Sequence, residues 1–162
     1  MVKIRRFKAG EEVLVIDLIN RIMNKEFGSD AAAYPTGDIE RLSESYGALG
    51  EAFFVAADNG KIVGTVGIKK EDDRVALLRR LFVDPPYRRK KIGMELIDCA
   101  LRFCHEVGYS EIVFKTTSKM EKAIGLCQKR GFVQRAKLKM GPIELLKYSL
   151  SIRGGLKAAA EK

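Results

Sequence analysis

Four consecutive cations, Arg88-Arg89-Lys90-Lys91, stand between a hydrophobic strand and the Ile92-Gly93 start of an amphipathic helix, within the stretch LRRLFVDPPYRRKKIG from Leu78 to Gly93. A strand that hands over to a helix through a basic loop builds an anion site. The first N–H groups of a helix have no partners inside it, and the helix dipole adds positive potential where they point. A pyrophosphate held there, by these side chains and the amides of Ile92, Gly93 and Met94, would explain the order of the pieces. A solvated basic turn between two core elements has the same composition, because charge runs commonly face water.

The elements around this turn are legible from periodicity. Val2–Phe7 alternates as an edge strand, and residues 9–27 place Val13, Ile16, Leu18, Ile19 and Ile22 near helical spacing. Gly28 to Gly37 is a small, polar loop, and Asp38 is a candidate N-cap for a short helix to about Tyr46. Glu51–Ala57 and Lys61–Lys69 form a hairpin about Asp58-Asn59-Gly60, and Val75–Val83 is the next strand. Ile92 to Val107 carries one apolar stripe and stops at Gly108. Then come a strand over Glu111–Thr116, a helix capped by Ser118 and ended by Gly131, a strand from Phe132, and a last strand over Ile143–Ile152. The order β-α-α-β-β-β-α-β-α-β-β predicts an α/β fold, a mixed sheet with helices over its faces. Residues 1–153 read as one domain and 154–162 as a flexible tail.

Composition sets the outer limits. At 162 residues and 46% hydrophobic, the chain is long and apolar enough to bury a core. Its apolar runs are far shorter than the ~20 residues a membrane span needs, and MVKIRRF lacks a signal-peptide core. Three cysteines without metal-type spacing fit a reducing cytoplasm, and no metal is expected. Residues 1–70 hold ten basic and ten acidic side chains, so the whole net charge of +9 lies in the second part. That asymmetry favours a local polyanion site over a surface coated for nucleic acid, although RNA stays open.

Element order and basic loop together resemble the GCN5-related N-acetyltransferase (GNAT) superfamily, over nearly the whole chain and most densely from Glu51 to Val133. Arg88-Arg89-Lys90-Lys91-Ile92-Gly93 matches the family's R/Q-x-x-G-x-G/A loop, with Leu81-Phe82-Val83-Asp84-Pro85 and Tyr87 leading into it. Met120 to Phe132 matches N-x-x-A-x-x-L-Y-x-x-x-G-F, with Ala123 in register. Three positions depart: Lys91 for the first loop glycine, Met120 for asparagine, and Cys127 for the tyrosine that protonates the leaving thiolate. A positive φ at Lys91 would cost about 1 kcal/mol, and the reading preferred here is a turn already helical at that residue.

The resemblance implies a mixed, mostly antiparallel sheet of six or seven strands flanked by about four helices. It implies acetyl-CoA as co-substrate and a small-molecule or amino-acid-like primary amine as acceptor, joined by direct attack in a ternary complex. Coenzyme A would lie along Leu81, Phe82 and Val83, in the Arg88–Met94 loop, and against Ala123 and Cys127. A bulge near the end of the strand Leu81–Val83 would splay it from strand five, and the Val83 N–H would bond the thioester carbonyl. Cys127 is a candidate general acid or a packed core residue; no general base is assigned. Tyr34 and Phe27 flank the loop between the first two helices, which in the family often shapes acceptor choice; the alternative is that they are aromatic anchors of that loop. Arg79 and Arg80 sit inside an apolar strand, on opposite faces if alternation holds. One of them is assigned to the acceptor groove, favouring a carboxylate; pairing with acidic residues or exposure of the head groups is the alternative. A non-catalytic acyl-CoA-binding module, or acetylation of a protein or RNA, are competing functions. Family members often form homodimers.

Overall fold

In a computed structural model, residues 1–152 are described; the tail expected over 154–162 lies outside them. The elements run β1 (Val2–Arg6), α1 (Glu12–Glu26), a 3-10 turn (Gly28–Ala33), α2 (Gly37–Glu40), α3 (Leu42–Ser45), β2 (Ala52–Asp58), β3 (Lys61–Lys70) and β4 (Val75–Val83). A 3-10 turn at Pro85–Tyr87 leads to α4 (Ile92–Val107), β5 (Glu111–Thr117), α5 (Glu121–Lys129), β6 (Val133–Met140) and β7 (Ile143–Ser151). One sheet of order β1-β2-β3-β4-β5-β7-β6 carries all seven strands. Every neighbouring pair is antiparallel except β4–β5, which the α4 crossover makes parallel.

Two apolar layers sandwich the sheet. On one face, Ile92, Leu96, Ile97, Ala100 and Cys104 of α4 pack on Val63, Val66, Ile68, Leu78, Leu81, Ile112 and Phe114. On the other, Val15, Leu18, Ile19, Ile22 and Met23 of α1 pack on Phe53, Val55, Ile62 and Phe82. The buried stripe of α1 thus uses Val15, and the expected Val13 is 77% exposed. Asp38 lies inside α2 and caps nothing, and α5 starts at Glu121 after Met120 without a side-chain cap.

Two features of β4 position the site. It pairs with β5 only over Val75–Leu77 against Glu111–Val113, so the two strands part beyond that point. A bulge in the β3 ladder then sets Arg80 and Leu81 against a single residue, between the Gly67–Arg79 and Thr65–Phe82 pairs. Arg80 takes φ 56° there, which costs a non-glycine residue about 1–2 kcal/mol. The bulge also breaks the simple alternation expected for Arg79 and Arg80: Leu81 resumes the α4 face and Phe82 the α1 face.

Candidate active site

Arg80 is the best-held side chain near the opening. Its Nε donates to Asp38 Oδ2 at 3.0 Å, and its Nη2 donates to Asp38 Oδ1 at 2.5 Å and to the Pro35 carbonyl at 2.6 Å. The Tyr46 hydroxyl donates to the same Asp38 Oδ2 at 2.6 Å. Thr65 Oγ1 donates to the Arg80 carbonyl at 2.7 Å, pinning the bulge. Burial pushes the Asp38 carboxyl up, but hydrogen bonds from Arg80 and Tyr46 and the Arg80 and Arg79 charges outweigh it and hold it below its usual range. Burial, followed by the Asp38 charge, drives the Tyr46 phenol up. Of the two strand arginines, Arg80 is therefore engaged, while Arg79 makes no hydrogen bond or ion pair among the described residues.

A cavity of about 850 Å³ lies between the N-terminal turn of α4, the face of α5 and the end of α1. Leu81, Phe82, Val83, Arg88, Arg89, Lys91, Ile92, Gly93, Met94 and Ala123 line it, and Phe27 joins them from the end of α1. Lys90 does not: its Nζ turns onto the Tyr87 ring at 5.3 Å. Lys91 takes φ 65°, as does Arg89, which corrects the expectation of a turn already helical at Lys91. The turn needs the left-handed conformation where the family commonly has glycine, and this chain meets it with two strained cations. At Gly93 a Cβ would fall 2.7 Å from Leu126 Cδ1, so any larger residue there would push the Leu126 side chain aside.

Arg88 is differently occupied. Its guanidinium makes a bidentate pair with Glu26, both bonds 2.9 Å, and its Nε donates to the Val83 carbonyl at 3.0 Å. Sequence gave no sign of a pair spanning 62 positions, nor of Lys119, Lys122 and Lys129, which join the cavity wall. Altogether the wall holds seven basic and two acidic side chains.

Asp84 N–H donates to the Val63 carbonyl at 2.8 Å. In an antiparallel ladder the bonded direction alternates, so the Val83 N–H points away from β3 toward the gap left by β5.

A second cavity of about 320 Å³ occupies that gap, walled by Leu77 to Phe82, Val113 to Lys115, Ala33, Tyr34 and Met120. It shares Leu81, Phe82 and Met120 with the first. Tyr34 anchors its roof: the hydroxyl accepts from the Thr117 N–H at 2.8 Å and meets Thr116 Oγ1 at 3.1 Å. Phe27 and Tyr34, both expected on the acceptor side, thus divide between the two cavities.

Cys127 is absent from both walls. Its side chain is fully buried in the α4–α5 core, where burial pushes the thiol up to about 12. A thiol so reluctant to ionise is a poor donor to a leaving thiolate. Cys127→Ala is expected to cost about 1–2 kcal/mol of stability while lowering turnover no more than about threefold. A hundredfold loss of turnover at unchanged stability would restore the general-acid role.

The family model described as Acetyltransferase (GNAT) family matches residues 16–132. Human N-acetyltransferase 8 is 35% identical over 101 residues, covering 59% of this chain and 44% of that protein. N-acetylaspartate synthetase of Xenopus tropicalis is 40% identical over 84 residues, 51% of this chain and 31% of that one. The chain thus spans about half the length, or less, of these named relatives. Among solved structures, an acetyltransferase of GNAT family from Staphylococcus aureus MU50 superposes with TM-score 0.85 at 25% identity, covering 94% of this chain and 100% of that one. An acetyltransferase from Salmonella typhimurium, solved with acetyl-CoA, shares the fold at TM-score 0.75 and 18% identity, over 93% of each chain. A seven-stranded sheet opened between β4 and β5, a basic strand-to-helix turn at the opening, and the match over residues 16–132 lead to one conclusion: the chain belongs to the GNAT acetyltransferase family.

Proposed function

We propose that the protein transfers an acetyl group from acetyl-CoA to the primary amine of a small, amino-acid-like acceptor, by direct attack in a ternary complex. The observation that carries this reading is the junction of the two cavities at Leu81 and Phe82, beside a Val83 N–H that the sheet leaves free. The large cavity fits the donor: its wall is strongly basic, and Gly93 lets α5 close against the helix N-terminus. When bound, acetyl-CoA supplies a thioester carbon to which the amine nitrogen bonds as the C–S bond breaks, the amine proton passing to solvent and coenzyme A leaving as the thiolate or thiol.

This chain's own residues divide the work. Arg89 and Lys91, with the amides of Ile92, Gly93 and Met94, hold the pyrophosphate. Leu81 and Phe82 flank the acyl carbon, and the Val83 N–H steadies negative charge developing on the thioester oxygen. Cys127 packs. The relative named N-acetylaspartate synthetase supports an amino-acid-like acceptor. Three free thiols support a reducing, cytoplasmic setting.

Calorimetric titration with coenzyme A tests the cradle. Arg89→Ala and Lys91→Ala are each expected to weaken binding about ten- to hundredfold, the worth of a charge-assisted hydrogen bond. Arg88→Ala, already held by Glu26, is expected to change it less than about threefold. Lys91→Gly separates charge from backbone: it loses affinity like Lys91→Ala but gains about 1 kcal/mol of stability. Unchanged affinity in both Arg89→Ala and Lys91→Ala would remove the cofactor assignment. Binding without coenzyme A release on any amine would identify a non-catalytic acyl-CoA module.

A further inference from the structure

We propose that the smaller cavity is a carboxylate subsite, with Arg79 as the anchoring residue and Lys115 as its supporting cation, so that the acceptor is an amino acid and not a plain amine. The inference rests on the acetyltransferase reading above and adds the class of acceptor.

The first support is charge. Among the described residues, the wall of this cavity holds Arg79, Arg80 and Lys115 and no acidic side chain. Arg80 is neutralised by Asp38, whose two oxygens are both taken, Oδ1 by Arg80 Nη2 and Oδ2 by Arg80 Nε and the Tyr46 hydroxyl. Asp38 feels the Arg79 charge through space but accepts no hydrogen bond from it. Arg79 is half-buried and Lys115 exposed, and neither makes a hydrogen bond or ion pair among the described residues. A partly buried arginine with no hydrogen-bonded anion keeps its guanidinium donors free for an anion that enters the cavity.

The second support is position. Arg79 lies directly across from Gly67 in the ladder, so it shares that residue's face of the sheet. A Cβ on Gly67 would fall 2.7 Å from Tyr46 Cε1 and 3.0 Å from Phe53 Cδ2, which places this face on the α1 side. Phe82 packs on that same side, and it is one of the residues shared with the large cavity. The bulge absorbs one residue, leaving about two residues of strand rise, ~7 Å, between Arg79 and Phe82. An extended arginine covers much of that span. A carboxylate on Arg79 therefore sets an amine only a few atoms away at the place where the acyl carbon is expected. Lys115 approaches from β5, whose Val113 faces Leu77 across the last paired step.

The third is chemistry. Guanidinium offers two parallel N–H donors to the two oxygens of a carboxylate, and an ammonium does not. Arg79→Lys is thus expected to behave as a damaging change.

The test compares each α-amino acid with its own α-carboxamide, which keeps the amine and removes the charge. The wild-type protein is expected to prefer the acids by about tenfold or more in kcat/KM. Arg79→Gln raises KM for the acids about ten- to hundredfold, with kcat for them and Kd for coenzyme A within about twofold; Arg79→Lys recovers only part. Lys115→Gln has a smaller effect in the same direction. Calorimetry of N-acetyl amino acids against N-acetyl amino amides, titrated into coenzyme-A-loaded protein, reads the same preference without turnover. Equal use or binding of acid and amide overturns the subsite. So does an acid-to-amide ratio that Arg79→Gln leaves unchanged, or a preference for O-phosphoethanolamine over β-alanine. Coenzyme A affinity measured without acceptor tests the underlying reading separately: if it survives while the acid preference fails, only this inference falls.

Discussion

Asp38→Asn is expected to unfold with a loss of about 3–5 kcal/mol, read as a shift of the urea midpoint at constant m-value. The cost is that of the charge left behind. Arg80 is 7% exposed, and in the variant its guanidinium keeps the Pro35 carbonyl but loses its only paired anion among the described residues. The pair also holds Arg80 at φ 56°, so its loss frees strained backbone at the bulge. Tyr46→Phe, which removes one donor to the carboxylate and leaves the pair intact, is expected to cost about 1.5–3 kcal/mol. Asp38→Leu combined with Arg80→Met removes both charges and recovers much of the loss. The carboxyl is held below its unfolded value of ~3.9, so the pair contributes in full above about pH 4 and is lost as the pH falls through the lower folded value. A midpoint for Asp38→Asn within error of the wild type would show that the pair contributes nothing.

Val83→Pro is expected to lower kcat about a hundred- to thousandfold, the usual consequence of deleting one donor to a developing oxyanion. Proline is the informative choice because it removes the N–H; it also fixes φ at about −65° and replaces the valine side chain, and the loss of side chain is what Val83→Ala controls for. That N–H points away from β3, so its removal breaks no ladder bond, and extended Phe82 is compatible with a following proline. Affinity for coenzyme A should stay within about threefold, since the pyrophosphate cradle lies beyond Pro85–Tyr87. Val83→Ala, which trims the side chain but keeps the donor, serves as the control and should turn over near the wild-type rate. Wild-type turnover by a folded Val83→Pro protein would remove the backbone from the mechanism.

The element order was readable because local signals dominate it. Asp58-Asn59-Gly60 marks a tight hairpin, and Asn59 and Gly60 indeed take φ 50° and 84°. Gly108 closes α4 at φ 100°, as a helix-ending glycine should. What stayed hidden is tertiary. The family resemblance implies a bulge near the end of this strand, but alternation still assigns Arg79 and Arg80 to opposite faces, and only the register with β3 shows that the bulge falls at Arg80 and Leu81. Asp38 looks like a helix cap because Asp often is one; its partner is 42 positions away. Glu26 carries no local mark of a role, and Lys91 resembles an ordinary solvated lysine until its φ is seen. In each case a distant contact overrides a local preference, and no window of sequence contains both halves of it.

Two chambers that touch at three side chains have a kinetic corollary. If the large chamber seats the acetyl donor and the small one the acceptor, as proposed, neither ligand has to pass through the other's compartment, and an acetylated product can depart while the spent carrier is still seated. Entry need not follow a fixed sequence, and crowding the protein with amine should not trap the nucleotide behind it. On that reading only the acetyl group has to cross where the chambers meet, beside Leu81, Phe82 and Met120.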